Sequence, residues 1–369
     1  MIHSLAAGGA ERVLTILADG LASRGHEVYL LTLGGPEEDF FHPGKRVRRI
    51  CLEMAGESKS TLDGALANLR RIRAIRRQLK AIEPDGVLSF TTTVNVLALL
   101  AAAGTAVPVL VSERTNPQAH VLQPHWTILR RLMYRRAHAL VVQTTFAADW
   151  FRSRLPARVP IDVIENPTAE PLHMQEANVA VPRPYVLAAG RLSREKGFDV
   201  LIEAFAIAAG ECMQLNLAIA GAGEEAEALA RLAAQRGIED RVHFVGEVRL
   251  LEALMRQAEV FVLSSRYEGF PNVLLEALAS GVPVVSADCP SGPREILGDG
   301  RYGILVAPEN PPALAQAIVR LTTDPGLREH LSSVGPSRAA CYHPSVILAK
   351  WEEALRGRRA LSVGHTSRS

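Results

Sequence analysis

SSRYEGFPNVLLEALASGVPVV, Ser264 to Val285, sets two glutamates, Glu268 and Glu276, around a Gly269-Phe270-Pro271-Asn272 turn that opens a helix. Asn272 is the natural N-cap, and Gly281 followed by Pro283 is a conventional stop. A helix start leaves backbone N–H groups without partners and carries partial positive charge, so the turn suits a phosphate. Helical side chains lean toward the N-terminus, which carries Glu276 back toward whatever the turn holds. A carboxylate repels a phosphate but accepts hydrogen bonds from sugar hydroxyls beside it. The stretch therefore reads as a cradle for a phosphate with a sugar on each side, the backbone from Phe270 to Val273 facing the phosphate.

Strand-like apolar runs alternate with helical stretches on both sides of this motif. The first series is EVYLLT, VRRIC, GVLSF, PVLVS, ALVVQ and IDVIE; the second is YVLAA, LNLAIAG, VHFVG, VFVLS, VPVVSA and GILVA. Such alternation predicts α/β architecture with parallel sheets, whose ligands collect at the carboxyl ends of the strands. NPTAEPLHMQEANVAVPRP separates the two series and, rich in proline and without periodicity, reads as a linker. The expected division is a first domain over 1–165, a linker over 166–183 and a second domain over 184–343. A last helix over 344–357 is expected to return to the first domain, with a disordered tail over 358–369. Only five residues precede Ala6, so any strand before the Gly8-Gly9 turn is short.

A chain of 369 residues can bury two cores, and 48% hydrophobic with 22% charged residues is the make-up of a globular protein. Cys51, Cys212, Cys289 and Cys341 lie far apart, without metal-ligand spacing or disulfide density, which fits a reducing cytoplasm. The start lacks a basic stretch and an apolar run, so no secretory leader is expected. Gly86 to Ser112 holds no charged residue, but Thr91, Thr92, Thr93, Asn95, Gly104 and Pro108 interrupt it at spacings of strand, helix and strand. The stretch therefore reads as consecutive elements of a buried α/β core, with a membrane span as the rival reading. Residues 1–165 hold 21 Lys and Arg against 15 Asp and Glu, and the remainder 20 against 24, so an anionic partner is expected at the first half. No basic–aromatic interleaving points to nucleic acid.

Other strand ends carry further chemistry. YVLAA runs into GRLSREKGFDVLIEAF, which places Arg191 and Lys196 on a loop before a helix. Two cations there can neutralise a diphosphate leaving group in a water-poor cleft, whereas Arg194 reads as solvated. Gly8 and Gly9 open a helix where backbone without a Cβ can approach an anion. Glu113 and Arg114, at the end of the PVLV run, and His120 and His125 beyond them, are candidates to contact an acceptor. Ile72, Ile75, Leu79 and Ile82 share one helical face, with Arg70, Arg73, Arg77 and Lys80 opposite. Arg130, Arg131, Arg135 and Arg136 crowd a second segment beside Trp126 and Leu129. These faces read either as solvated helix surface or as attachment to anionic headgroups or an acceptor pyrophosphate. No Asp-x-Asp triplet or His/Cys cluster is present, so no metal and no cofactor is expected. No nucleophile stands beside a base.

The Glu-x7-Glu pair in EGFPNVLLEALASGVPVV resembles the donor-site motif of the retaining family-4 glycosyltransferases. GRL followed by KG resembles their diphosphate loop, and the run from Gly8 to Val28 resembles their opening. The resemblance implies a GT-B fold, two doubly wound Rossmann-like domains facing across a cleft. It also implies transfer of a hexose or N-acetylhexosamine from a UDP-sugar with retention. Glu268 would then touch the donor sugar, Glu276 the ribose, Arg191 and Lys196 the diphosphate, and Gly221 and Val248 the nucleobase region. Many relatives place a histidine near Arg114, so the sequence departs from the family there. SERTNP with DCPSGPREIL further resembles transferases that extend lipid-linked oligosaccharides, N-acetylgalactosamine transferases among them. A polyprenyl-diphosphate-linked glycan acceptor and a place on the inner face of the plasma membrane follow from that. The rival readings are a GT-B sugar-nucleotide epimerase and a non-catalytic nucleotide-sugar-binding protein.

Overall fold

The computed structural model describes residues 1–56, 61–168, 181–248 and 250–363. The chain divides into two compact units, one of Met1–Pro167 together with the chain from Pro344, the other of Thr168–His343. Of the expected linker, residues 169–180 lie outside the described residues.

The first unit runs α1 (Gly9–Ser23), β1 (Val28–Thr32), β2 (Val47–Cys51), α2 (Thr61–Ile82), β3 (Val87–Phe90), α3 (Thr92–Ala102), β4 (Val109–Ser112), α4 (Pro124–Met133), β5 (Ala139–Val142), α5 (Thr145–Arg152) and β6 (Ile161–Val163). Strands β3-β4-β5-β6 form one parallel sheet, and β1 pairs with β2, also parallel. Before α1 the short strand is a single bridge, Ile2 to Thr32, with Phe90 N–H donating to the Met1 carbonyl at 2.9 Å. β4 and β5 are buried throughout, as parallel strands covered on both faces require. The charge-free Gly86–Ser112 stretch is β3, α3 and β4, and α3 is largely apolar beyond Asn95, as a buried helix requires. Among the described residues no helix is long and apolar enough to cross a membrane.

The second unit continues with β7 (Tyr185–Ala189), α6 (Phe198–Glu211), β8 (Asn216–Ala220), α7 (Ala226–Gln235), β9 (Val242–Gly246), α8 (Leu251–Met255), β10 (Val260–Leu263), α9 (Asn272–Ala279), β11 (Val284–Ala287), α10 (Pro293–Ile296), β12 (Ile304–Val306), α11 (Pro311–Thr323) and α12 (Pro325–Ala340). Its six strands are parallel in the order β12-β11-β10-β7-β8-β9, the doubly wound Rossmann order. Val186, Leu217, Ile219, Val260, Val262 and Val285 meet Phe198, Leu201, Phe205 and Ile318 in a core with almost no solvent contact. Each such side chain contributes roughly 1.5–3 kcal/mol by burial.

α13 (Pro344–Val363) belongs to the first unit, where it lies against α1 so closely that a Cβ on Gly20 would meet Leu348 Cδ1 at 2.3 Å. Trp351, fully buried, stacks on Phe90 with centroids 5.9 Å apart, and Arg24 pairs with Glu352 at 2.9 Å. Residues 358–363, expected to be irregular, continue this helix. Gly357 weakens a helix by only ~1 kcal/mol, and Arg359, Ala360 and Leu361 favour one. Residues 364–369 lie outside the described residues.

Candidate active site

β7 and β10 are neighbours, but the chain leaves β7 toward β8 on one side and β10 toward β11 on the other. Where the connections part, their loops leave a crevice at the carboxyl ends of the strands. The β7 loop carries Lys196 and the β10 loop carries Glu268, and the two side chains meet there. Lys196 Nζ lies 2.7 Å from Glu268 Oε1, with the side chains 20% and 8% exposed. Ser265, itself buried, donates its hydroxyl to the same oxygen at 2.6 Å. The loops are stitched together by Ser264 Oγ to the Lys196 carbonyl (2.9 Å) and by Arg266 N–H to the Glu195 carbonyl (2.8 Å). Arg266 also forks onto Asp199 and Glu309, and the hydrogen bond to Asp199, then that to Glu309 and their charges, push its guanidinium pKa up against burial. Arg191, on the β7 loop, is exposed and pairs with no side chain among the described residues. Ser193 Oγ on that loop is buried without a hydrogen-bond partner, an available donor.

α9 begins one residue earlier than cap preference suggests. Pro271 is its N-cap and Asn272 its first helical residue, so Asn272 does not cap the helix with its side chain. The fixed φ of proline suits a residue entering a helix, and the boundary moves by one position. At the other end Gly281 adopts φ +71°, its N–H donates to Leu278 O, and Val282 N–H donates to Ala277 O, which closes the helix with a Schellman turn. Glu276 faces inward at 9% exposure, Phe270 is buried with its ring 5.9 Å from that of Tyr342, and Asn272 and Val273 are half-buried. Gly269 is held from behind, since Ser291 Oγ donates to its carbonyl at 2.9 Å. Cys289 is buried near the pair; burial, then the charge of Glu268, pushes its thiol up to about 12.

Loops after neighbouring strands press onto the same edge. A Cβ on Gly221 would lie 1.9 Å from the Gly190 carbonyl, and one on Gly223 would lie 2.3 Å from that of Leu192. Only glycine permits that approach. Gly221 N–H donates to Gly246 O at 2.7 Å, and Val248 follows half-buried.

In the first unit the expected acceptor residues do not form one exposed cluster. Glu113 is 3% exposed and its carboxylate accepts from Thr92 Oγ1 (2.8 and 3.0 Å) and from the Tyr134 hydroxyl. It braces the start of α3 from a buried position, the Thr92 and Tyr134 hydroxyls tying it to the fold. Arg114 is 8% exposed, lies 4.5 Å over the Phe90 ring and donates to Asn166, while its Nε has no partner. Burial lowers its pKa to about 9, against the opposing charge of Glu11. Gly8 is the N-cap of α1, and a Cβ there would meet the Glu11 carboxylate. Gly9 begins the helix and is exposed, as is His120 in the loop before α4. Arg70, Arg73 and Arg77 line the exposed face of α2, opposite buried Ile75 and Leu79.

Residues 8–167 match the glycosyl transferase 4-like domain, and residues 170–338 match the glycosyl transferases group 1. The lipopolysaccharide core biosynthesis glycosyltransferase LpsE of Rhizobium meliloti is 30% identical over 340 residues, covering 89% of this chain and 89% of its own. The chain belongs to the glycosyltransferases, with a group 1 domain over residues 170–338. A Campylobacter jejuni enzyme, GalNAc-alpha-(1->4)-GalNAc-alpha-(1->3)-diNAcBac-PP-undecaprenol alpha-1,4-N-acetyl-D-galactosaminyltransferase, is 28% identical over 353 residues, covering 95% of this chain and 96% of its own. Among solved structures, Anabaena HepE in complex with UDP superposes with a TM-score of 0.74 at 18% identity, covering 96% of this chain and 98% of that one. This glycosyltransferase thus has the GT-B fold, each of its units Rossmann-like with parallel strands.

Lys196 and Glu268 both lie within the residues that match the group 1 domain, and their side chains meet at the crevice. A primary ammonium, an exposed guanidinium on the same loop and the start of α9 supply positive charge, while Glu268 and Glu276 supply acceptors for hydroxyls. Sequence reading passed over Ser265 and Ser193. Each sits just past a strand end, the position that identified Arg191, and a hydroxyl there was the available signal.

Proposed function

We propose that this glycosyltransferase transfers a hexose or N-acetylhexosamine from a UDP-sugar to a glycan acceptor carried on a polyprenyl diphosphate, with retention of configuration. The observation that carries the reading is the Lys196–Glu268 pair at the parting of β7 and β10, beside the start of α9. Lys196 and Arg191 neutralise the departing diphosphate, and backbone N–H groups from Phe270 to Val273 share that charge. Glu268 accepts from donor-sugar hydroxyls and Glu276 from the ribose. Gly221 and Val248 border the base. The acceptor hydroxyl attacks from the side the diphosphate leaves, and the leaving phosphate oxygen takes its proton. No protein nucleophile is needed, in keeping with a site that pairs cation with carboxylate.

The acceptor follows from kinship: the C. jejuni relative is named for a diphospho-undecaprenol-linked substrate, and the basic face of α2 (Arg70, Arg73, Arg77) suits a pyrophosphate or an anionic headgroup. Arg114 and His120 belong to the same half. The enzyme is proposed to act at the inner face of the plasma membrane and without a metal, its cations standing in for one. The test is a panel of UDP-sugars incubated with membrane extract, scored for UDP release, with product anomers read by NMR. Release that requires acceptor, keeps the donor anomer and persists in EDTA is the expected result. Release without acceptor, or an inverted product, refutes the reading.

A further inference from the structure

We propose that Ser265 is a positioning residue: it pins one oxygen of Glu268 so that the other, Oε2, alone is offered to the donor sugar. The hydrogen bonds divide the carboxylate. Lys196 Nζ, at 2.7 Å, and Ser265 Oγ, at 2.6 Å, both donate to Oε1. A carboxylate oxygen has about two lone-pair sites, so Oε1 is fully used. Among the described residues nothing donates to Oε2, and that atom is not sealed from solvent, although the side chain as a whole is only 8% exposed. The free lone pairs of Oε2 are therefore what Glu268 offers a substrate, enough for about two neighbouring hydroxyls of one sugar.

The two donors to Oε1 are not equivalent. Lys196 is charged, its side chain is 20% exposed, and it has further N–H groups on which an arriving diphosphate draws. An anion bound beside it weakens its hold on Glu268. The Ser265 hydroxyl is neutral and 1% exposed, so an anion has little purchase on it. Its backbone is fixed on both sides: Ser264 Oγ donates to the Lys196 carbonyl at 2.9 Å, and Arg266 N–H donates to the Glu195 carbonyl at 2.8 Å. Ser265 is thus the restraint that persists once the leaving group is in place. At that moment a carboxylate turned by an ångström costs rate, so the group that locks its rotamer matters to turnover. The inference rests on the reading of Glu268 as the contact to the donor sugar.

Ser265→Ala and Ser265→Cys, the second of like size but a weak donor, are compared with wild type. The probes are UDP, then UDP-glucose, UDP-galactose and their N-acetylamino counterparts, and the deoxy forms of whichever donor wild type prefers. In both variants kcat should fall about tenfold, while the Kd of UDP, which carries no donor sugar, stays within about twofold. Removing a sugar hydroxyl that Glu268 reads should cost wild type about tenfold in kcat/KM and Ser265→Ala much less. Crystals of Ser265→Ala should show the Glu268 carboxylate turned from its wild-type direction or spread over more than one. Wild-type kcat in either variant overturns the proposal, as does an unmoved carboxylate or an equal loss with every deoxy donor. Melting temperature and UDP affinity that fall together with kcat overturn it too, because Ser265 then only braces its loop. Wild type that turns over none of the donors sinks the donor-sugar reading instead, and the crystals still decide whether Ser265 aims Glu268.

Discussion

Lys196 and Glu268, 72 residues apart, share one ion pair at 2.7 Å, so neither side chain is positioned independently of the other. Lys196→Ala should lower kcat by on the order of a hundredfold, as removal of one oxyanion donor commonly does, and Glu268→Ala should do likewise. The double variant should fall well short of the product of the two losses, because each single change already breaks the pair. Arg191 makes no such pair, so Arg191→Ala with Glu268→Ala should multiply. Steady-state UDP release from the three single variants, the two double variants and the wild type is the measurement. Full additivity for Lys196 and Glu268 would remove the coupling.

Gly197 underlies that geometry. It adopts φ +63°, and a Cβ on it would sit 2.3 Å from the Ser264 carbonyl, inside the β10 loop. Gly197→Ala should therefore destabilise the protein by about 2–5 kcal/mol, left-handed strain and backbone displacement adding together. Gly237 has nearly the same φ, +66°, with open space around it, so Gly237→Ala should cost only about 1–2 kcal/mol. Urea denaturation of both variants separates the contributions. Equal losses would mean that the Ser264 contact carries no weight.

What could be read ahead of the structure followed how local the cause is. The run VFVLSS, the Gly-Phe-Pro-Asn turn and the Schellman end at Gly281 are decided within a few residues, and the architecture follows from repeating such units. Lys196 and Glu268 were legible as chemistry, since each type stands at a strand end, but their contact depends on the order of β7 and β10. The N-cap of α9 moved from Asn272 to Pro271 because side-chain preference and backbone restriction compete over one position. Glu113 could not be placed from its neighbours. Its partners Thr92 and Tyr134 each lie 21 residues away, and only the folded sheet brings them onto its carboxylate.

Thiol reactivity offers a check on the site's interior. Cys289 is buried with its pKa pushed up to about 12, whereas Cys341 is exposed. The thiolate is the reactive form, so near pH 8 Cys289 should resist iodoacetamide while Cys341 alkylates readily. Peptide mass spectrometry of native protein measures both. Denaturation should release Cys289 to the rate of an ordinary thiol. Prompt native labelling of Cys289 would contradict the packing behind Glu268.

Tyr134 separates support of the fold from chemistry. Its hydroxyl donates to Glu113 and accepts from Asn95 Nδ2 at 2.9 Å, and burial with the Glu113 charge raises its pKa well above the usual phenol. Tyr134→Phe leaves the Glu113 carboxylate and the Asn95 amide each short of a partner in a buried setting. The expected loss of stability is about 1–3 kcal/mol. Thr92 still bonds the carboxylate, so the unit should remain folded, with kcat close to wild type below its melting range. If Glu113 instead bound the acceptor, the same variant would raise KM for the acceptor or lower kcat at full stability. Melting curves together with acceptor titrations distinguish the two outcomes. A kinetic defect without a thermal one would return Glu113 to the acceptor site.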